Sequence, residues 1–219
     1  MATLHRILER HGRTGRRRRA HRRFHAGRPD TAFDHPNAIW TADFKGQFRT
    51  GNGVYCYPLT VQDGATRFLL GCRRLLEPTI AASWPVFARL FRRYGLPERI
   101  RTDNGAPFAS NALGRLSTLS VWWVQLGIRP ELIAPAHPEQ DGRHERMHKT
   151  LKGETARPPR RTLAAQQRRF DWFRQRYNTE RPHEALGQRL PASLYQASPR
   201  PTPPRSCRSR IRGIMKCDG

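Results

Sequence analysis

Carboxylates are scarce in this chain, with 17 Asp and Glu against 41 Lys and Arg, so each can be judged by its surroundings. Asp43 interrupts the aromatic stretch IWTADF. A charge there costs free energy unless something pairs with it or it stands on a solvated strand face. Asp103 ends ERIRTD and is followed by Asn104-Gly105. It either opens an Asn-Gly turn or sets a carboxylate at the C-terminal edge of a sheet, where open α/β sheets build their sites. Glu145 lies in RHERMHKTLK, where His144, Glu145 and His148 have the H-E-x-x-H spacing that zinc proteases place on a helix. That chemistry needs a third ligand, and Leu151 and Glu154 stand where a nearby glycine and third histidine are expected. Arg143, Arg146 and Lys149 suit a helix facing a polyanion better than a buried zinc helix. Asp63 is accounted for by a hairpin turn, and Glu98, Glu131, Asp171 and Glu180 by solvated or ion-paired positions.

The elements that must position these groups follow from the apolar spacing. IWTADFKGQF, GVYCYPLTVQD and RFLLGCRRL predict three strands, the last two joined through Asp63-Gly64. PTIAASWPVFARLFRRYG predicts an amphipathic helix ended by Gly95 and kinked or split at Pro85. PERIRTD is a fourth strand, NALGRLSTLSVWWVQLG a helix with Trp122-Trp123 as packing residues, and RPELIAP a fifth strand. A polar helix follows over about 139–155, then the linker ARPPRR and a last helix over roughly 162–177. Antiparallel strands followed by alternating strands and helices predict an α/β fold, a mixed five-stranded sheet flanked by helices. Glu145, Lys149 and Lys152, at i, i+4 and i+7, share one helix face. Beyond Pro191 the proline and arginine content predicts an unpacked tail.

The formal charge of +24, with 37 of the 41 basic residues arginine, points to a polyanionic partner, nucleic acid first. No run of 18 apolar residues occurs and the N-terminus has no apolar signal region, which argues against a membrane span or secretion. Cys56, Cys72, Cys207 and Cys217 form no C-x-x-C pair, so neither a zinc ribbon nor a disulfide framework is indicated. The first 30 residues hold ten arginines, Arg16, Arg17, Arg18 and Arg19 in a row, and read as a basic arm. His137 and His183 read as surface or linker histidines.

IWTADFKG, IRTDNGAPF and HPEQDGRHERMHKTLKGE, in that order, resemble the three signature blocks of the retroviral-type integrase catalytic core found in DDE transposases of bacterial insertion sequences. YNTERPHEALGQRLPASLY resembles the segment that follows that core. The resemblance implies a ribonuclease H-like fold in which Asp43, Asp103 and Glu145 are the catalytic residues and the ligands of two Mg²⁺ or Mn²⁺ ions. Such ions take hard oxygen donors and activate one hydroxyl while stabilising the leaving one. The implied activity is metal-dependent DNA strand cleavage and strand transfer in transposition, the alternative being an inactive remnant that only binds DNA. Lys149, Lys152, Arg143 and Arg16 to Arg19 are the expected DNA contacts, with element ends and target DNA as partners and assembly as a homo-oligomer on DNA. The implied location is the bacterial cytoplasm, at the nucleoid. Asp141 departs from the asparagine often found there, and the 41 residues between Asp103 and Glu145 exceed the spacing of many relatives. The expected organisation is a basic arm with the remnant of a helix-turn-helix region over 1–35, the core over 36–197, and a disordered tail of out-of-frame character over 198–219.

Overall fold

Strand β3 (Tyr55–Asp63) is buried from Pro58 to Asp63 without alternation, as a strand covered on both faces must be. It pairs antiparallel with β1 (Ile39–Phe44) on one side and with β4 (Leu69–Leu75) on the other. The computed structural model describes residues 33–110, 116–133 and 142–203, with side chains of the last stretch described from Glu145. Beyond β1 lie β5 (Arg99–Thr102) and β6 (Arg129–Leu132), both parallel to it, so the main strands run in the order β4-β3-β1-β5-β6. This is the mixed five-stranded sheet expected from the sequence. One short addition is β2 (Phe48–Arg49), which continues β1 along β3 after one extra residue has been accommodated.

Four longer helices cover the two faces: α1 (Ile80–Tyr94), α2 (Thr118–Gln125), α3 (Gly142–Thr155) and α4 (Leu163–Thr179). On one face Trp40, Ala42, Leu59, Val61 and Ile100 pack with Phe87, Phe91 and Trp123 of α1 and α2. On the other, Cys56, Leu69 and Cys72 pack with Met147 and Leu151 of α3 and Phe170, Phe173 and Tyr177 of α4. Trp122 and Trp123 are core residues, Trp122 stacking on Trp84 at 3.9 Å. Edge strand β4 is covered through side chains of α4: Asn178 bonds both backbone groups of Leu69, and Gln167 bonds Cys72 O and Arg74 N.

Several local expectations are corrected. Helix α1 passes through Pro85 unsplit, capped by the Thr79 hydroxyl and by Gly95 at φ 76°. The lost N–H is outweighed by the continuous apolar face of Val86, Phe87, Leu90, Phe91 and Tyr94. Helix α2 starts only at Thr118, behind the Ser117 cap. Asp63 is fully buried where a plain turn residue was expected, and it accepts from Asn37 N, Thr66 N and Thr66 Oγ1. Glu131 is ion-paired but buried, taking Nε and Nη2 of Arg101 at 3.1 and 3.0 Å and Nη1 of Arg99 at 3.2 Å.

Residues 191–203 are packed where an unpacked tail was expected, and residues 204–219 of that expected tail lie outside the described residues. The packed stretch opens with α5 (Pro191–Leu194); Tyr195 then stacks on Phe68 at 4.3 Å and donates to Asn37 Oδ1. Farther on, Ser198 N donates to Tyr94 O, and Leu96 N to Arg200 O. The Arg200 guanidinium donates to Pro97 O at 2.6 Å and Gly127 O at 2.7 Å. A Cβ at Gly95 would collide with the Ser198 carbonyl, so this glycine serves the docking as well as the helix end.

Candidate functional site

Register brings two of the three candidate carboxylates together. Ala42 of β1 is the partner of Thr102 of β5 in a parallel pair, so Asp43 and Asp103 are the next residues on neighbouring strands about 4.8 Å apart. Side chains alternate along a strand: Ala42 and Ile100 belong to the core under α1 and α2, which sends Asp43 and Asp103 toward the opposite face, the α3 side. Asp103 reaches solvent but is crowded by protein on the sheet side. That partial burial pushes its carboxyl pKa up, against the single hydrogen bond donated by Gly105 N at 3.2 Å. A Cβ on Gly105 would stand 3.1 Å from Asp103 Oδ2, so a larger residue would press on the carboxylate. Asn104 ties the same turn to β6 by donating to Ile133 O at 2.7 Å.

Helix α3 lies over this edge through His148. Its Nδ1 stands 3.4 Å from Asp43 Oδ2, and its Nε2 is 2.8 Å from Thr60 Oγ1. Thr60 is the cross-strand partner of Asp43, and its hydroxyl also reaches the Asp43 carbonyl oxygen at 3.1 Å. The His148 side chain is 4% exposed, buried between the helix and the sheet. A usable signal was present: Met147, His148, Leu151 and Thr155 form the buried stripe of an otherwise polar helix.

Glu145 sits one turn before His148 on α3 and is exposed, as are Lys149 and Lys152 on the same face. Among the described residues no group of three or more His, Cys, Asp or Glu side chains could hold a metal ion. The structure thus joins Asp43 to Asp103 by register and Asp43 to His148 by contact, and leaves Glu145 outside any such group. His137 and Arg16 to Arg19 lie outside the described residues, as do the side chains of Arg143 and His144.

Two family profiles, each described as an integrase core domain, match residues 34–138 and 126–191. The chain belongs to the integrase core family. A protein of insertion element IS476 from Xanthomonas euvesicatoria is 32% identical over 170 residues, covering 74% of this chain and 45% of that protein. The chain spans about half the length of the curated relatives it matches. Among solved structures, an integrase-core fold recurs in a simian T-cell lymphotropic virus intasome in complex with PP2A regulatory subunit B56 gamma. There the TM-score is 0.61 at 19% identity, over 78% of this chain and 58% of that one. The HTLV-2 integrase catalytic core in complex with magnesium gives a TM-score of 0.56 at 16% identity, over 74% of this chain and 98% of that one. The fold of this integrase core is therefore ribonuclease H-like, as the sequence implied.

Proposed function

We propose that this integrase core cleaves DNA strands and transfers them in transposition, with Asp43, Asp103 and Glu145 as catalytic carboxylates. The observation that carries this reading is the placement of Asp43 and Asp103 at the ends of adjacent parallel strands, on the face that α3 covers. Their oxygens suit Mg²⁺ or Mn²⁺, whose bound form supplies Lewis acidity to both the attacking and the leaving oxygen. His148 does not compete as a ligand, because its two nitrogens face Asp43 and Thr60. The same engagement argues against a zinc-protease role for its helix.

The chain's own groups then have separate tasks. Asp43 and Asp103 fix the ligand edge, and His148 holds the Asp43 carboxylate against rotation. Glu145 completes the set from α3, and Lys149 and Lys152 lie along the same face to meet phosphates. Arg143 and the arginines at 16–19 add sequence-independent attraction to DNA. Assembly as a homo-oligomer on DNA, in the cytoplasm at the nucleoid, belongs to the same reading.

A DNA-binding role without chemistry is the second reading, favoured by the exposed position of Glu145 outside any metal-holding group. One experiment separates the two: incubation with Mg²⁺ or Mn²⁺ and DNA carrying the element's ends, comparing the wild type with Asp103→Asn. Nicking or joining abolished in the variant is the expected result. Equal activity in the variant overturns the assignment, and DNA binding without cleavage in either protein selects the second reading.

A further inference from the structure

Where α3 passes into α4, the chain gathers cations and no counter-charge. Residues 155–170 hold five arginines and no Asp or Glu. Against this linker lies the β2–β3 hairpin, and residues 44–62, which include it, are likewise without an acidic residue and present Arg49. Arg49, Arg157, Arg160 and Arg161 are exposed, and none of the four has an acidic partner among the described residues. Glu154, the nearest carboxylate along the chain, is taken by Arg181 at 3.1 Å. Helix α4 adds to the field, because its positive N-terminal end follows Arg161 directly and its first turn carries no acidic residue.

The frame under these charges is rigid. Gly51 N donates to Arg160 O and Asn52 N to Arg161 O, both at 2.9 Å, so the hairpin tip and the linker are stitched backbone to backbone. Their approach is close enough that a Cβ on Gly51 would stand 3.1 Å from Arg161 Cα. From the other side Arg160 N donates to Gln166 Oε1, and the buried Gln166 side chain donates in turn to Thr155 O, again at 2.9 Å. The Arg49 guanidinium lies 4.4 Å from the centre of the Tyr55 ring and donates to the Tyr55 hydroxyl at 2.9 Å. Four like charges held on one frame repel each other, and a polyanion relieves that cost.

The surface is in line with the catalytic edge. Helix α3 passes His148, which contacts Asp43, and ends at Thr155, two residues before Arg157. Glu145 and Thr155 are separated by about 15 Å of helix rise, and Asp43 and Arg49 by about 20 Å of strand. Exposed Lys149 and Lys152 occupy the interval. Phosphates follow one another at about 3.4 Å per strand along the duplex axis, so the arginines stand roughly five to six base pairs from the carboxylates.

We propose that Arg49, Arg157, Arg160 and Arg161 form a second anchoring surface, which grips the phosphate backbone of duplex DNA about five to six base pairs from the catalytic edge. Phosphate contacts carry no base readout, so this surface sets the direction in which the duplex runs along α3 and not the sequence chosen. The inference rests on the reading of DNA as substrate and is independent of the metal chemistry.

The test is binding by fluorescence anisotropy in EDTA, as a function of salt, with a duplex long enough to span α3 and the linker. Replacing all four arginines by alanine is expected to lower affinity at least about tenfold and to reduce the slope of log K against log salt by about three to four. A matched variant with Arg89, Arg92, Arg93 and Arg129 replaced by alanine removes the same charge from other exposed positions and is expected to keep the wild-type slope. Lysine at the four proposed positions is expected to keep most of the slope, since an ammonium still neutralises a phosphate as a point charge. An unchanged slope in the alanine variant, an equal loss in the matched variant, or a lysine variant as weak as the alanine one overturns the proposal. Poly-glutamate that displaces the duplex at equal charge concentration would make this a site for acidic protein and overturns it as well. A wild type that binds no duplex at all removes the proposed function and this surface together, whereas the other outcomes leave that function standing.

Discussion

His148 of α3 and Asp43 of β1 stand 3.4 Å apart, Nδ1 to Oδ2, across 105 residues of sequence, with Thr60 on the other nitrogen of the ring. The contact fixes the height of α3 above the sheet edge and thereby the place of Glu145, one turn away. His148→Ala is expected to cost about 1–3 kcal/mol of stability in urea denaturation, from the loss of a buried polar contact. His148→Asn, which keeps a short donor, is expected to recover part of that stability and part of the proposed strand-transfer activity. Recovery of stability without activity would assign His148 to packing alone.

Arg101 and Glu131 give a second, purely structural expectation. Both are buried on neighbouring strands, so removing one partner strands a charge in the interior. Glu131→Ala is expected to lose about 3–5 kcal/mol by urea denaturation, whereas replacing the pair together by apolar residues of similar volume costs far less. Equal losses in the single and double variants would contradict the pairing.

His183 makes stability depend on pH. Burial, followed by the charge of Arg181, pushes its pKa below the ordinary 6.5. Between that lowered value and 6.5 the unfolded chain binds more protons than the folded one, so stability rises with pH across the window. The contribution is complete above 6.5 and is lost as pH falls through the folded value. Denaturation midpoints measured from pH 7.5 downward are expected to fall more steeply for the wild type than for His183→Phe. Parallel curves would refute it.

Tyr195 anchors the C-terminal segment by its stack on Phe68 and its bond to Asn37. Tyr195→Ala is expected to cost about 2–3 kcal/mol, measured by thermal or urea unfolding. Tyr195→Phe isolates the hydroxyl and is expected to lose about 1 kcal/mol. A silent Tyr195→Ala would mean that the segment is not coupled to the core.

Local pattern was enough for much of the sheet. The aromatic run ending at Asp43, the turn after Asp63 and the strand ending at Asp103 each announce themselves within ten residues. What was illegible depends on pairing across distance. Nothing near Asp43 says that Ala42 will align with Thr102, and nothing in RHERMHKTLK names Thr60, 88 residues upstream, as the partner of His148. Proline-rich composition after Pro191 suggested a loose end because it registers the lack of regular hydrogen bonding. It is blind to the carbonyls of Pro97 and Gly127 that wait for Arg200. Asp63 misled in the same way: its turn was visible, and its burial under Asn37 and Thr66 was not.

Arg200 reaches the chain just before β5 and just before β6, at the ends of those strands opposite to Asp43 and Asp103. Stiffness and access are thereby assigned to opposite ends of the same strands. The described latch sits at the end of the strands away from the carboxylates. On the proposed reading, DNA would approach at the carboxylate end of these strands, opposite to the end that Arg200 braces.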